Sequence, residues 1–146
     1  GGHGDSMVAM LNSTTVNGKN IFDLVKEGKI KKDTLNNIVN RTKNGGAEIV
    51  KHLEKGSAFY APAASGVEMA ESYIKNLKKQ LPCAAYLNGE YGVKDLYAGV
   101  PVIIGSDGVE KVIELNLTEQ ERIDFNKSIQ TVQELFNAAK KIDPKL

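Results

Sequence analysis

Between residues 35 and 53 apolar and small side chains recur with helical spacing, and no other stretch constrains the fold as tightly. Leu35, Ile38, Val39, Thr42, Gly46, Ile49, Val50 and Leu53 lie three, one, three, four, three, one and three residues apart. Those intervals return side chains to one face of an α-helix. The phase runs unbroken through Gly45-Gly46, although a mid-helix glycine costs about 1 kcal/mol against alanine. The spacing therefore predicts one kinked helix rather than two independent ones, with Gly56 as its stop.

A second stripe follows: Ala63, Gly66, Val67, Ala70, Tyr73, Ile74 and Leu77. Pro62 suits an early helical position, and small residues at a helix start admit another backbone or a ligand. Pro82 is expected to close the segment. Upstream, residues 7 to 17 read as an extended segment ended by an Asn17-Gly18 turn, and Ile21 to Val25 as one helical turn or two. Residues 83 to 115 switch to strand chemistry at Cys83 to Leu87, Val100 to Ile104 and Val109 to Leu115. Ser106-Asp107-Gly108 makes the last two a hairpin. Thr118 followed by Glu121 is a capping box, opening a long helix with Phe125, Ile129, Val132, Phe136 and Ala139 on one face. Long helices around an antiparallel meander define an α+β fold class, in one domain spanning residues 1–146.

Composition removes several function classes. The 146 residues carry a net charge of +1, too balanced to imply an acidic partner. Among the basic residues only Arg41 and Arg122 are arginines, and arginine is the fork that grips carboxylate, phosphate and guanine. Both fall on predicted helices away from the apolar stripes and read as solvated. Basic residues do not interleave with aromatics, so no nucleic-acid partner is expected. Cys83, His3 and His52 are too small a set for most zinc sites, and one cysteine rules out an intramolecular disulfide. No metal is expected. No apolar run approaches a membrane span and no signal peptide is seen, so the expected location is cytoplasmic with no membrane partner. Gly18-Lys19-Asn20 lacks the rest of a phosphate loop, and no G-x-G-x-x-G follows a strand. His52 reads as a surface histidine, and Glu68, Glu71 and Lys75 as an exposed ion-pair ladder.

One histidine stands apart. His3 sits in Gly1-Gly2-His3-Gly4-Asp5, where flanking glycines permit close backbone approach and leave the imidazole unobstructed. Neutral imidazole can take a hydroxyl proton near pH 7 and return it. A glycine-histidine cluster at the start of a chain without Met also fits an expression scar or a cut inside a longer protein. The pentapeptide alone leaves these readings open.

Longer motifs decide between them. Gly1 to Val8 (GGHGDSMV) resembles the catalytic-histidine segment of the lactate/malate dehydrogenases. Gly45 to Val50 (GGAEIV), Gly56 to Ser65 (GSAFYAPAAS), Leu81 to Gly92 (LPCAAYLNGEYG) and Tyr97 to Gly105 (YAGVPVIIG) are similar to the lactate-dehydrogenase-like malate dehydrogenases of bacteria. The resemblance covers nearly the whole chain and corresponds to the C-terminal, substrate-side half of that family. It implies NAD as cofactor and His3 as the general acid/base, taking the 2-hydroxyl proton of malate and protonating the oxaloacetate carbonyl in reverse. It places Ala58 near the substrate pocket and Pro62 near the nicotinamide ring, with Asp5 as local support for His3. The N-terminal Rossmann domain would carry the phosphate turn, the carboxylate that orients the histidine and the substrate-gripping arginines. That domain is an implied partner, and a homo-oligomer, dimer or tetramer, is another. The expectation is thus a domain cut from a roughly twice-longer enzyme, inactive alone. The C-terminal domain of an L-lactate dehydrogenase is the alternative within the class. A non-catalytic oligomerisation module, exposing apolar surface in isolation, is the alternative outside it.

Overall fold

The observed architecture is α+β, as the sequence implied, in a computed structural model that describes residues 1–145. In chain order the elements are β1 (Thr15–Val16), β2 (Lys19–Asn20), α1 (Ile21–Lys26), α2 (Lys32–Lys43), α3 (Gly45–Leu53), α4 (Tyr60–Ile74), β3 (Lys79–Asn88), β4 (Lys94–Gly105), β5 (Gly108–Val112) and α5 (Glu119–Ile142). Single 3-10 turns lie at Gly4–Ser6, Leu11–Ser13 and Glu90–Gly92. The chain divides into two units: Gly1–Glu48 with the chain from Leu115 onward, and Ile49–Glu114.

In the first unit Asn17 and Gly18 form the two-residue turn of the β1–β2 hairpin, both with positive φ (51° and 77°). The segment before it is less extended than residues 7 to 17 suggested. Thr14 donates its hydroxyl to Met10 O at 2.8 Å and its N–H to Leu11 O at 3.1 Å, so local bonds wind Leu11–Ser13 and leave only Thr15–Val16 to pair. Helix α1 is capped by the Asn20 side chain, which accepts from Phe22 N–H at 2.9 Å.

Helices α2 and α3 are interrupted at Asn44 alone, with φ −94° and ψ 3°. Asn44 N–H still donates to Asn40 O, and Glu48 N–H to Asn44 O, at 3.2 and 2.9 Å. The kink therefore falls one residue before the glycine pair. Arg41 spans it with two bonds to the Glu48 carboxylate, at 3.0 and 2.8 Å. The stop is Glu54, not Gly56: α3 ends at Leu53 and Glu54 already takes φ 59°. Helix α5 carries the expected capping box. Thr118 accepts from Glu121 N–H, and the Glu121 carboxylate accepts from Thr118 N–H. Its inward face holds Phe125 and Ser128, both buried, with Ile129, Val132, Phe136 and Ala139 half-buried.

In the second unit the sheet order is β3-β4-β5, all antiparallel. Along β4, Leu96, Ala98, Val100, Val102 and Ile104 are buried, the period of two that sends alternate side chains to one face. Ala85 and Leu87 of β3 join them in the core. Pro82 does not close the preceding helix. It lies inside β3, opposite Pro101 of β4. Pro101 O accepts from Ile113 N–H at 2.8 Å, so its polar backbone faces away from β3. The two prolines thus meet as a pair that needs no donor between them, and no β3–β4 ladder bond is lost. The Ser106-Asp107 loop turns β4 into β5, and Gly108 has φ 86°. Pro62 is the third residue of α4, where a missing N–H costs nothing.

The stripes name the right helices and overstate their burial. Leu35 is buried, but Ile38, Ile49, Val50, Leu53, Val67, Tyr73, Ile74 and Leu77 are exposed. Periodicity gives the direction of an apolar face, not what covers it.

Candidate functional site

His3 precedes the 3-10 turn Gly4–Ser6 with extended backbone, φ −101° and ψ 158°. Its side chain reaches solvent and makes no hydrogen bond or ion pair with another described residue. Gly4 then takes φ 67°, a conformation that favours glycine, and Met7 N–H closes the turn on Gly4 O at 2.9 Å. The turn is anchored to α5. Gly2 N–H donates to Ser128 Oγ at 2.7 Å, and Ser128 Oγ donates to Ser6 O at 2.5 Å. Ser128 therefore holds the chain on both sides of the histidine.

The first two glycines sit against this anchor. A Cβ on Gly1 would overlap Ser128 Oγ and come within 2.6 Å of Ser128 Cβ, an atom fixed by the helix backbone. A Cβ on Gly2 would overlap only the Ser6 hydroxyl, which can rotate away, and would otherwise touch Val132 at 3.4 Å. The requirement for glycine is thus sharper at position 1. Asp5, on the same turn, is exposed.

Sequence reasoning missed Ser128. A signal existed: residue 128 lies in phase with Phe125, Ile129 and Val132, and a hydroxyl on an apolar stripe needs partners. Those partners are 126 and 122 residues away, beyond the reach of local pattern.

Ala58 and Pro62 belong to the second unit, on either side of Phe59, the residue that caps α4. Ala58 is half-buried and Pro62 exposed. His52 is at the surface, as expected. Of the expected ladder, Lys75 pairs with Glu71 at 2.7 Å, while Glu68 pairs with Lys79, a residue outside the predicted set, at 3.4 Å. The hydrogen bond and charge of Lys75, with Lys79 at 3.7 Å, hold the Glu71 carboxyl below its usual pKa. Arg41 is on the surface with its fork engaged by Glu48, and Arg122 is exposed. Nothing among the described residues groups three or more metal-ligating side chains, and no helix is long and apolar enough to cross a membrane. Both predicted glycine turns, at Gly18 and Gly108, are spent in hairpins rather than at a strand-to-helix junction, so neither forms a phosphate cradle.

A shallow groove of about 560 Å³ on the sheet is lined in part by Ala84, Tyr86, Tyr97, Val109 and Lys111. Tyr86 and Tyr97 meet edge to face at 5.4 Å. The Tyr86 hydroxyl donates to Asp95 at 2.7 Å, which raises its pKa.

Residues 1–142 match the family described as lactate/malate dehydrogenase, alpha/beta C-terminal domain. A curated malate dehydrogenase from Pelagibacter ubique (strain HTCC1062) is 63% identical over 146 residues, which is the whole of this chain and 46% of that protein. The chain thus spans about half the length of the curated relative it matches. Malate dehydrogenase of Cryptosporidium parvum superposes with a TM-score of 0.92 at 46% identity, over 97% of this chain and 45% of that one. Lactate dehydrogenase of Eimeria maxima, solved with NADH and oxamate, gives 0.92 at 43% identity, over 97% and 44%.

Proposed function

The chain belongs to the lactate/malate dehydrogenase family, and from that premise we propose that it is the substrate-side half of an NAD-dependent malate dehydrogenase, with His3 as the residue that moves the proton. The observation that carries the proposal is the presentation of His3. Its imidazole is exposed and uncommitted, on a turn fastened on both sides to a buried serine. In this reading His3 Nε2 or Nδ1 accepts the 2-hydroxyl proton of malate and returns it to the carbonyl oxygen of oxaloacetate. NAD, when bound, supplies the hydride acceptor. A positioned acid/base of this kind contributes about 10²- to 10⁴-fold in rate.

The described residues fit only one end of such a cofactor. Small side chains at Ala58, Pro62, Ala63 and Ala64 suit a flat apolar ring, so Ala58 is assigned to the substrate pocket and Pro62 to the nicotinamide side. The phosphates and ribose find no cradle among the described residues. We assign their binding, the carboxylate that orients His3 and the substrate arginines to an N-terminal Rossmann domain, which makes residues 1–146 one domain of a longer enzyme. The engagement of Arg41 by Glu48 supports that division. No step can be completed by this chain alone.

The test is direct. His3→Ala in the two-domain enzyme should lower turnover by about 10²-fold or more while leaving nicotinamide binding nearly unchanged. Retained turnover would remove His3 from the reaction. The 146-residue chain should show no oxidation of NADH with oxaloacetate, and measurable turnover would defeat the division of labour. A lactate dehydrogenase reading is favoured by one observation, the equal superposition on the Eimeria maxima enzyme. Comparison of oxaloacetate with pyruvate in the two-domain enzyme separates the two. The exposed apolar side chains of α3 and α4 favour a homo-oligomer, which light scattering measures.

A further inference from the structure

We propose that Ser128 is a positioning residue for His3, fixing where the imidazole can act from a helix more than a hundred residues away in the chain. The inference rests on the reading of His3 as the proton acceptor and adds a residue to it. Ser128 lies on the buried face of α5, 3% exposed, where alanine would bury as well. A hydroxyl there costs desolvation unless its proton and a lone pair are both engaged. Both are engaged, and both by the strap that carries His3: Gly2 N–H on one side and Ser6 O on the other. The remaining hydrogen bonds described for residues 2 to 6 are local, within the turn itself. They shape the turn without tying it to a helix. A carboxylate from the second domain can turn the ring, but the position of Cα and the direction of Cβ are set by the backbone on either side of His3. Gly1 completes the fit, since any larger residue there would be driven against Ser128 Cβ.

Proton transfer works over a hydrogen-bond distance, and a displacement of about 1 Å can cost 10²-fold. Removing the hydroxyl should therefore act on the chemical step more than on binding. Ser128→Ala in the two-domain enzyme is expected to lower kcat by about 10²-fold, with KM and nicotinamide affinity changed less than about threefold. In the His3→Ala background the same substitution should add nothing, because a residue that acts through another has no effect once the other is gone. Amide dynamics give a second readout: Gly2 to Ser6 should become mobile in Ser128→Ala while the amides of the α5 capping box keep their protection. Should Ser128→Ala fail to fold, Gly1→Ala attacks the same contact from the strap and leaves α5 intact. It should reproduce the loss of kcat.

The outcomes separate cleanly. If His3→Ala leaves kcat intact, the reading of His3 fails, whatever Ser128 does. If His3→Ala collapses kcat while Ser128→Ala leaves it within about twofold, the positioning role is overturned. An equal further loss in both backgrounds overturns it as well, because the serine would then be acting on the fold alone.

Discussion

Ser72 in the sheet unit and Ser128 in the helical unit are the buried polar side chains among the described residues. They use the same chemistry. Ser72 accepts from Lys79 N–H at 3.2 Å and donates to Ile104 O at 2.7 Å. Ser128 accepts from Gly2 N–H and donates to Ser6 O. Their partners differ. Those of Ser72 belong to β3 and β4, elements already fixed by a ladder and a buried core, so its bonds secure α4 to the sheet. Those of Ser128 lie in an irregular segment with no ladder of its own. One serine adds to elements that a ladder already joins; the other ties down a segment that has none. The difference teaches that what a buried hydroxyl does for a fold depends on what it holds.

The units also differ in how they are filled. The sheet unit buries Ala85, Leu87, Tyr91, Leu96, Ala98, Val100, Val102 and Ile104, whereas the helical unit buries Ile21, Leu35 and Phe125. Phe125→Ala should therefore produce the largest loss of stability, about 3–5 kcal/mol, exceeding Leu87→Ala in denaturant titration. The reverse order would break the contrast in core size. Next, Ser72→Ala should cost about 1–3 kcal/mol, since two backbone groups lose a buried partner. Ser128→Ala should cost less in global unfolding and show instead as local exchange of residues 1 to 6. Equal global losses would erase the distinction between the serines.

Glycines sharpen the comparison further. Gly46 has open space where a Cβ would go and no positive φ, so Gly46→Ala should raise stability by about 0.5–1 kcal/mol. Gly1→Ala should lower it. A rise in both melting temperatures would show that the strap tolerates a side chain. The smallest effect concerns pH. Partial burial of Glu121 would raise its pKa, but hydrogen bonds from Thr118 N–H, Asn12 N–H and the Thr118 hydroxyl outweigh it, and the pKa is lowered. A lowered folded-state pKa stabilises above the unfolded value and loses that contribution as pH falls through the folded value. Glu121→Gln should therefore flatten the acid side of the stability curve, read as unfolding midpoint against pH. An unchanged acid limb would remove the carboxylate from that role.

Much of the fold was legible because its causes are local. Asn17-Gly18, the Thr118-Glu121 box and the Ser106-Asp107-Gly108 hairpin each act over a few residues, and each formed as its residues implied. Boundaries were less legible. Gly56 and Pro82 are natural stops by composition, but Glu54 took the left-handed turn and Pro82 entered a strand opposite another proline. Pro82 could enter the strand because its pairing with Pro101 needs no donor, a circumstance set by the register of β3 on β4.

His3 could be singled out from its glycines, and the resemblance of the surrounding motifs suggested the role proposed for it. Where the apolar stripes of α2, α3 and α4 would be covered could not be read in the same way, because period carries direction and not partner. The sequence by itself determined the elements, their class and the chemistry available at position 3. Only the tertiary structure decided what holds that position, since the hydroxyl of Ser128 meets the strap through a contact that spans nearly the whole chain. Local spacing encodes torsion angles and faces. Which distant backbone satisfies a buried donor is settled when the elements pack.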